Sequence, residues 1–496
     1  MTALSDPALD LARIRAALDA LLPAWLPGRR WYAGKGAGSP PDVTTRLLDV
    51  VLPGDPALLV AVFDAGADGP YQALLGVRRD PVPPSAEPLI GRLEGPDGSG
   101  VFLYEATQDP ELMGALLARI AAGGRTGPLC FEPAPGVELP VGTPGVASTA
   151  EQSNTSVAFA ERAMLKVLRR PVPGDNPELE LLTALRRAGG VPSAAPLAQV
   201  RTSASSAVGA RTLALLQQFV RSRGDGWTIA VDRARACMAG ECETVEPHGG
   251  FAAEAYALGL ATARVHTALA EQLGSRPLTR PESEDLLDLL ADRLAQGLRT
   301  VPQLAPYARA LWAMQDDLRE IVGRGGAPHV QRIHGDLHLG QALRGDQGWI
   351  LVDFEGEPGR SPEQRRRPQP ALRDVAAMLR SFDYAAHHAL SAVLDRPPGD
   401  SGPHDPRAVR MARRASAWAV HNRRAYCTGY ADGGGQDPRC APVLLRCFEA
   451  DKAVYEAVYE SRNRPEWLPI PLSAVRRLAQ WRRSSAPVDG TSGQPA

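Results

Sequence analysis

The sequence has almost no net charge, −1 over 496 residues, and so lacks the electrostatic footprint of a nucleic-acid or anionic-membrane binder. No stretch approaches the apolar length that spans a bilayer. The opening MTALSDPALDLARIRAAL alternates acids, arginines and apolar residues where a signal peptide has a basic start and a continuous apolar core. These absences lead to the expectation of a soluble protein of the cytoplasm. Cysteine is scarce: Cys130, Cys237, Cys242, Cys427, Cys440 and Cys447 are scattered without the CxxC spacing of a metal site. They read as reduced and packed, Cys237 and Cys242 being a pair that could bridge. Aromatics make up only 5% of the chain, and no internal repeat is present. The early stretch WLPGRRWYAGKGAG sets basic side chains beside glycines but lacks G-x-x-x-x-G-K-[ST], which excludes a Walker loop. It reads instead as an aromatic plug of Trp25 and Trp31 with arginines on its rim.

What is present suffices for large cores. At 44% hydrophobic residues, a chain of this length should divide into two or three domains. Residues 7–22 repeat apolar side chains at helical spacing, and the runs at 43–63 and 70–78 read as a small sheet packed on that helix. Pro81-Val82-Pro83-Pro84 breaks the pattern. Around 145–170 two strand-like segments flank Gln152-Ser153-Asn154-Thr155-Ser156, and the second carries Lys166. A hairpin tip that covers phosphates, with a lysine on the return strand, is a nucleotide-binding device. Without glycines at the tip, the contacts fall to backbone N–H groups and to the hydroxyls of Ser153, Thr155 and Ser156. Asn176-Pro177-Glu178-Leu179-Glu180 opens a helix. Glu180 is the candidate partner of Lys166, with Glu178 the alternative. The strand LALLQQF then runs into a Gly-rich crossing at 220–227, where backbone from Gln218 to Val220 would meet an adenine. The rest is mainly helical, with stripes over 251–273, 284–298 and 305–323. His266 reads as a packed histidine. A flexible connection covers 395–406, and the end after about 483 reads as disordered.

The chemistry concentrates in VQRIHGDLHLGQALRGDQGWILVDFEGEP, residues 330–358. Asp336 is followed five residues later by the amide Gln341, and a short hairpin then delivers Asp353 at the end of Trp349-Ile350-Leu351-Val352. Asp-containing turns are common singly, but this ordered set is the protein-kinase layout H-R-D-x-x-x-x-N followed by D-F-G, in altered form. Asp336 would orient and deprotonate an acceptor hydroxyl, and Gln341 and Asp353 would offer oxygen ligands to Mg2+ on the phosphates of ATP. Asp374, further on, reads as a brace for the catalytic loop.

With WLPGRRWYAGKG, EQSNTS, LKVLRR, IHGDLHLGQ, VDFEGEP, LRDVAAMLRSFDY and DKAVYEAVYESRNRPEWLPIPL in place, nearly the whole chain resembles the actinobacterial maltokinases, within the aminoglycoside-phosphotransferase-like, eukaryotic-type kinases. The resemblance implies an α+β, bilobal protein-kinase-like fold. Its expected parts are an N-terminal cap over 1–90, a β-rich intermediate lobe over 91–219, a mainly helical C-lobe over 220–483 and a disordered tail over 484–496. It implies ATP-dependent, Mg2+-assisted phosphorylation of maltose to maltose 1-phosphate, with ATP and a sugar as small-molecule partners, and association with a glucan-pathway enzyme. Position by position, Asp336 matches the catalytic aspartate, Gln341 and Asp353 the magnesium ligands, and Lys166 the phosphate lysine. Glu355 stands where kinases carry glycine, as a metal ligand or a helix cap. The sugar site is expected beside Asp336, with His334, with Lys452, Tyr455, Glu456 and Tyr459 along one side of a helix, and with Arg464 after it. The related glucosamine kinases share the frame, and glucosamine 6-phosphate is the alternative product. An amino sugar would need a carboxylate at its ammonium, for which Asp383 or Glu456 would serve. A non-catalytic sugar sensor is a third reading, opposed by the joint presence of Lys166, Asp336, Gln341 and Asp353.

Overall fold

The computed structural model describes residues 10–34, 39–66, 69–80, 89–94, 100–148, 153–240, 250–357, 360–396 and 405–480. Gln152, Cys242, the break at Pro81-Val82-Pro83-Pro84, most of the 395–406 connection and the 484–496 tail lie outside them. The chain forms two compact units, Met1–Arg221 and Ser222–Ala496.

The first unit opens with α1 (Leu11–Trp25), started by Asp10, whose carboxylate accepts the N–H groups of Ala12 and Arg13. Its stripe Ile14, Leu18, Leu22, Trp25 is buried on a five-stranded antiparallel sheet. The strands are β1 (Val43–Leu52), β2 (Ala57–Ala65), β3 (Pro70–Arg78), β4 (Leu89–Glu94) and β5 (Gly100–Glu105), in the order β1-β2-β3-β5-β4. Nearly every residue of β2 and β3 is buried, which is why both read as continuous apolar runs: each face of the sheet is covered. One face packs on α1 through Leu59, Phe63 and Tyr71. Trp25 and Trp31 meet there edge to face at 5.9 Å, with the Arg29 guanidinium 4.8 Å from the Trp25 ring, the plug expected from the sequence. The other face, with Val60, Val62 and Leu74, joins α2 (Pro110–Ala122) and a second sheet.

That sheet has seven strands: β6 (Gly124–Thr126), β7 (Leu129–Pro133), β8 (Gly145–Ala147), β9 (Thr155–Phe159), β10 (Ala163–Val167), then, after α3 (Pro177–Ala188), β11 (Pro196–Thr202) and β12 (Arg211–Gln218). Their order is β6-β7-β11-β12-β10-β9-β8. The division expected at residue 90 is corrected by the first sheet. It would cut β4, which pairs with β5, and β5 pairs in turn with β3, so the cap runs on to Glu105.

The second unit is mostly helical: α4 (Gly226–Ala239), α5 (Ala252–Leu273), β13 (Ser275–Pro277), α6 (Arg280–Thr300), α7 (Ala308–Gly323), β14 (His329–Gln331), β15 (Ala342–Gly345), β16 (Gly348–Leu351), α8 (Pro362–Arg366), α9 (Leu372–Leu394), α10 (Pro406–Asp432), α11 (Pro442–Asn463) and α12 (Pro469–Ala479). α9 is its central helix and buries Val375, Met378, Leu379 and Phe382. α5 and α10 pack closely because a Cβ on Gly259 or Gly429 would run into backbone of the facing helix. Among the described residues, no helix is long and apolar enough to cross a membrane. The architecture is α+β and kinase-like, with a cap, a β-rich lobe and a helical lobe.

Candidate active site

In the first unit the site is built on the β9–β10 hairpin. Lys166 stands opposite Ser156 in the register and is buried, its Nζ 3.0 Å from Glu178 Oε2. Glu178 lies in the first turn of α3, where Asn176 caps the helix by accepting the N–H of Glu178 at 2.8 Å. The expected partner, Glu180, is thereby corrected. Two residues further along a helix it points to another side, and the carboxylate in phase with Lys166 is that of Glu178.

Thr155 needs a correction of the same kind. Strand alternation turns it into the core, where its Oγ1 accepts Arg169 Nε at 2.7 Å. Its neighbour Ser156 lies on the opposite strand face, half-buried, and Ser153 is exposed. Arg169 itself is fully buried. Its Nη1 donates to Glu105 Oε2 at 3.1 Å, its backbone N–H to Asn154 Oδ1 at 3.3 Å, and its guanidinium lies 4.8 Å from the Trp31 ring. The cap therefore grips the strand that leaves the hairpin tip. At the end of β12, the N–H groups of Gln218 and Phe219 already donate to Ala195 and Arg162. The Gln218 N–H is thus unavailable to an adenine, and the next backbone N–H along is that of Val220.

In the second unit the Asp336 loop follows β14. Asp374, buried at the start of α9, accepts the N–H groups of His334 at 2.8 Å and Gly335 at 2.9 Å. It also meets His266 Nε2 at 3.1 Å, while His266 Nδ1 lies 2.9 Å from the Tyr430 hydroxyl. Burial alone would push the Asp374 carboxyl up, but these partners reverse that and hold it below the usual range. Gly335 adopts φ 85°, a conformation that favours glycine, with Gly356 close by. His334 is not a substrate group. Its ring is buried against Phe354 at 4.6 Å and its Nε2 lies 2.9 Å from the Val352 carbonyl, so it ties the Asp336 loop to the Asp353 segment.

Asp336 stays partly exposed, with Lys452 Nζ 3.9 Å from its Oδ1. Gln341 Nε2 donates to Asp353 Oδ2 at 2.9 Å, which sets the Gln341 amide oxygen and the Asp353 carboxylate side by side. Asp353 follows the β15–β16 hairpin and has φ 65°, a left-handed conformation that costs a non-glycine residue about 1–3 kcal/mol and is typical of functional turns. One carboxylate oxygen of Asp353 and one of Glu355 lie within 4.8 Å of each other. Hard oxygens so arranged suit Mg2+.

The acceptor side is sorted by charge. Asp336, Lys452 and Tyr455 line one narrow pocket together with Glu357, Arg293, Arg373 and Asp451. Burial by itself would lower the Lys452 pKa, but Asp336, Glu456 and Glu357 together raise it, so the ammonium stays charged. The Glu357 carboxyl, which burial would push up, is held below the usual range by Lys452, Arg360 and Arg293.

Asp383 and Glu456 are corrected as substrate groups. Asp383 is buried among Arg380 at 2.7 Å, Arg477 at 3.0 Å and Arg423 at 3.4 Å, and Glu456 accepts both Nε and Nη2 of Arg380. Tyr459 is exposed, and Arg464 lies over the rings of both Tyr459 and Trp467 while bonding Glu460, a turn of helix further from the pocket beside Asp336. Glu357, Arg293 and Arg373 went unrecognised in the sequence. The one local signal was Glu357 within the motif VDFEGEP.

Residues 25–109 match the maltokinase N-terminal cap domain. A glucosamine kinase of Streptacidiphilus jiangxiensis is 30% identical over 368 residues, covering 72% of this chain and 78% of the relative. One from Mycolicibacterium smegmatis is 28% identical over 341 residues, covering 66% and 78%. Among solved structures, a glucosamine kinase in complex with glucosamine, ADP and inorganic phosphate superposes with a TM-score of 0.63 at 22% identity, covering 92% of this chain and 98% of that one. Another crystal form of glucosamine kinase reaches 0.65 at 23% identity, over 94% and 99%. The match to a maltokinase cap and a 30% identical relative matched over most of its length lead to one conclusion: the chain belongs to the maltokinase and glucosamine kinase family of ATP-dependent sugar kinases.

Proposed function

We propose that this sugar kinase acts on a neutral sugar, transferring the γ-phosphoryl group of ATP to the anomeric hydroxyl of maltose to give maltose 1-phosphate. The observation that carries this reading is the Lys452 ammonium, held charged 3.9 Å from Asp336. An amino sugar reacting at Asp336 would bring a second ammonium into the same narrow pocket, where Arg293 and Arg373 add further positive charge. The carboxylates expected to receive it, Asp383 and Glu456, are already neutralised by arginines.

In this reading Asp336 takes the acceptor proton as the phosphoryl group leaves ATP. Lys166, fixed by Glu178, holds the phosphates, with Ser153 and Ser156 beside them and backbone at Val220 for the base. Gln341, Asp353 and Glu355 would hold Mg2+, which neutralises charge on the transferring group when bound. Tyr455 and Tyr459 offer faces to the sugar rings, and Arg464 positions the second of them. A reaction that uses ATP belongs in the cytoplasm. The same reading carries association with a glucan-pathway enzyme that consumes the product, checked by co-elution of the two.

Glucosamine, phosphorylated at its 6-hydroxyl, is the second reading, favoured by the 30% identity to a glucosamine kinase. Parallel assays with maltose and glucosamine, with the phosphate position read by NMR, decide between them. A preference for glucosamine would sink the maltose reading and leave the kinase machinery standing.

A further inference from the structure

We propose that His266 is a positioning residue for phosphoryl transfer: its ring holds Asp374, and Asp374 holds the backbone that aims Asp336 at the acceptor. The inference rests on the reading of Asp336 as the base, but not on which sugar is bound.

A buried imidazole needs a physical reason. The residues buried around it on α5 are apolar or small, among them Leu258, Ala261, Val265 and Leu269, and an aliphatic side chain would fill the same place with no polar group to satisfy. His266 is 3% exposed, and both of its ring nitrogens are engaged, Nε2 with Asp374 Oδ2 at 3.1 Å and Nδ1 with the Tyr430 hydroxyl at 2.9 Å. A carboxylate only accepts, so Nε2 carries a hydrogen toward Asp374. Tyr430 meets the other edge of the imidazole, with the two rings edge to face and their centroids 5.7 Å apart. The ring is pinned at both ends, which fixes its plane.

Asp374 passes that constraint on. Its Oδ1 accepts the Gly335 N–H and its Oδ2 the His334 N–H, so two of its donors belong to the segment that has to be positioned. Alone they would let carboxylate and loop shift together. His266 is the donor that comes from a separate core helix and ties the loop to the lobe. The same residue makes a second tie, since its main-chain carbonyl accepts Gln331 Nε2 at 2.7 Å. Gln331, in β14, exchanges both backbone hydrogen bonds with Gln369, at 3.0 and 2.7 Å, on the approach to α9. His266 thus closes a ring of contacts around residues 331–335 and the start of α9. Asp336 follows at once, after Gly335 with φ 85°, so any rotation there swings its carboxylate. A reacting group displaced by about 1 Å loses on the order of 10²-fold in rate, while the groups that bind nucleotide and sugar stay where they are.

The test measures kcat and both KM values per nucleotide-binding site, the sites counted by calorimetry, with MgATP and the better of maltose and glucosamine. The variants are His266→Met, His266→Gln, Tyr430→Phe and Asp336→Asn. His266→Met keeps the bulk and loses the donor, so kcat should fall about 10–100-fold, as for one hydrogen bond to a charged group, with each KM within about twofold of wild type. His266→Gln can place an N–H where Nε2 stands and should return kcat to within about threefold of wild type. Tyr430→Phe keeps the aromatic ring but unpins the imidazole and should lower kcat about three- to tenfold; it decides the question should His266→Met not fold. A merely structural role would reduce the number of binding sites and leave kcat per site unchanged. That result, or a glutamine variant no better than the methionine one, overturns the inference alone. Undiminished turnover in Asp336→Asn overturns the reading beneath it.

Discussion

Replacing Lys452 with methionine keeps the aliphatic stem against the Tyr455 ring, whose centroid lies 5.0 Å from the ammonium, and removes only the charge. The side chains of Lys452 and Asp336 are 27% and 23% exposed, so their field is partly screened. An amino group on a sugar whose hydroxyl reaches Asp336 would stand on the order of 6 Å from Lys452. At an effective dielectric of 20 the repulsion there is about 3 kcal/mol, and partial exposure and salt roughly halve it. The kcat/KM ratio of glucosamine to maltose should therefore rise about tenfold in Lys452→Met, and about a hundredfold in Lys452→Glu, where repulsion becomes attraction. The assay is initial-rate phosphorylation of both acceptors at fixed ATP, repeated at higher ionic strength, where the selectivity change should shrink. A ratio unchanged within about twofold in both folded variants would refute the idea that Lys452 excludes amino sugars.

Three further outcomes follow from the same geometry. Asp336→Asn should lower kcat by about 10²–10⁴ with nucleotide affinity retained, while Asp353→Ala should lose Mg2+-dependent nucleotide affinity as well; calorimetry of each variant with the magnesium nucleotide separates them, and undiminished affinity in Asp353→Ala would reject the metal assignment. Arg169→Met leaves Glu105 buried without its cation, so denaturant unfolding should show a loss of about 3–5 kcal/mol; a loss below about 1 kcal/mol would mean the cap does not depend on that pair. Burial would push the Asp383 carboxyl up, but three guanidinium groups hold it well below the usual range. Its contribution should be fully present above the ordinary aspartate value of about 3.9 and disappear as pH falls below it. The melting-temperature gap between wild type and Asp383→Asn should therefore be flat from neutral pH to about 5 and narrow only in stronger acid; a gap that already closes near pH 6 would contradict this.

What could be read from the sequence was what chain neighbours decide. The interval from Asp336 to Gln341, and the hairpin that returns at Asp353, lie within one continuous segment, and the Gln341–Asp353 hydrogen bond joins the two across that hairpin. Phase was harder: Glu178 against Glu180 and Ser156 against Thr155 differ by one or two residues, yet helix and strand periodicity turns them in different directions. Partners distant in the chain could not be read. Asp383 looked like an available carboxylate because Arg423 and Arg477, 40 and 94 residues later, carry no local sign that they converge on it. The cap boundary failed for a related reason: β4 follows a proline-rich break in the chain but joins the sheet before it.

The first sheet also sets a timetable for synthesis. β2 and β3 are apolar on both faces, and only one face is covered by a helix already made when they emerge. The other waits for strands such as β12: Gln72, whose side-chain amide ends on the Leu213 carbonyl, precedes that residue by 141 positions. At ribosomal speeds of about 5–20 residues per second, the wait lasts roughly 7–30 s. For that interval the nascent cap exposes a flat apolar surface with open strand edges, so this protein should depend on chaperone cover during translation far more than the order of its finished fold suggests.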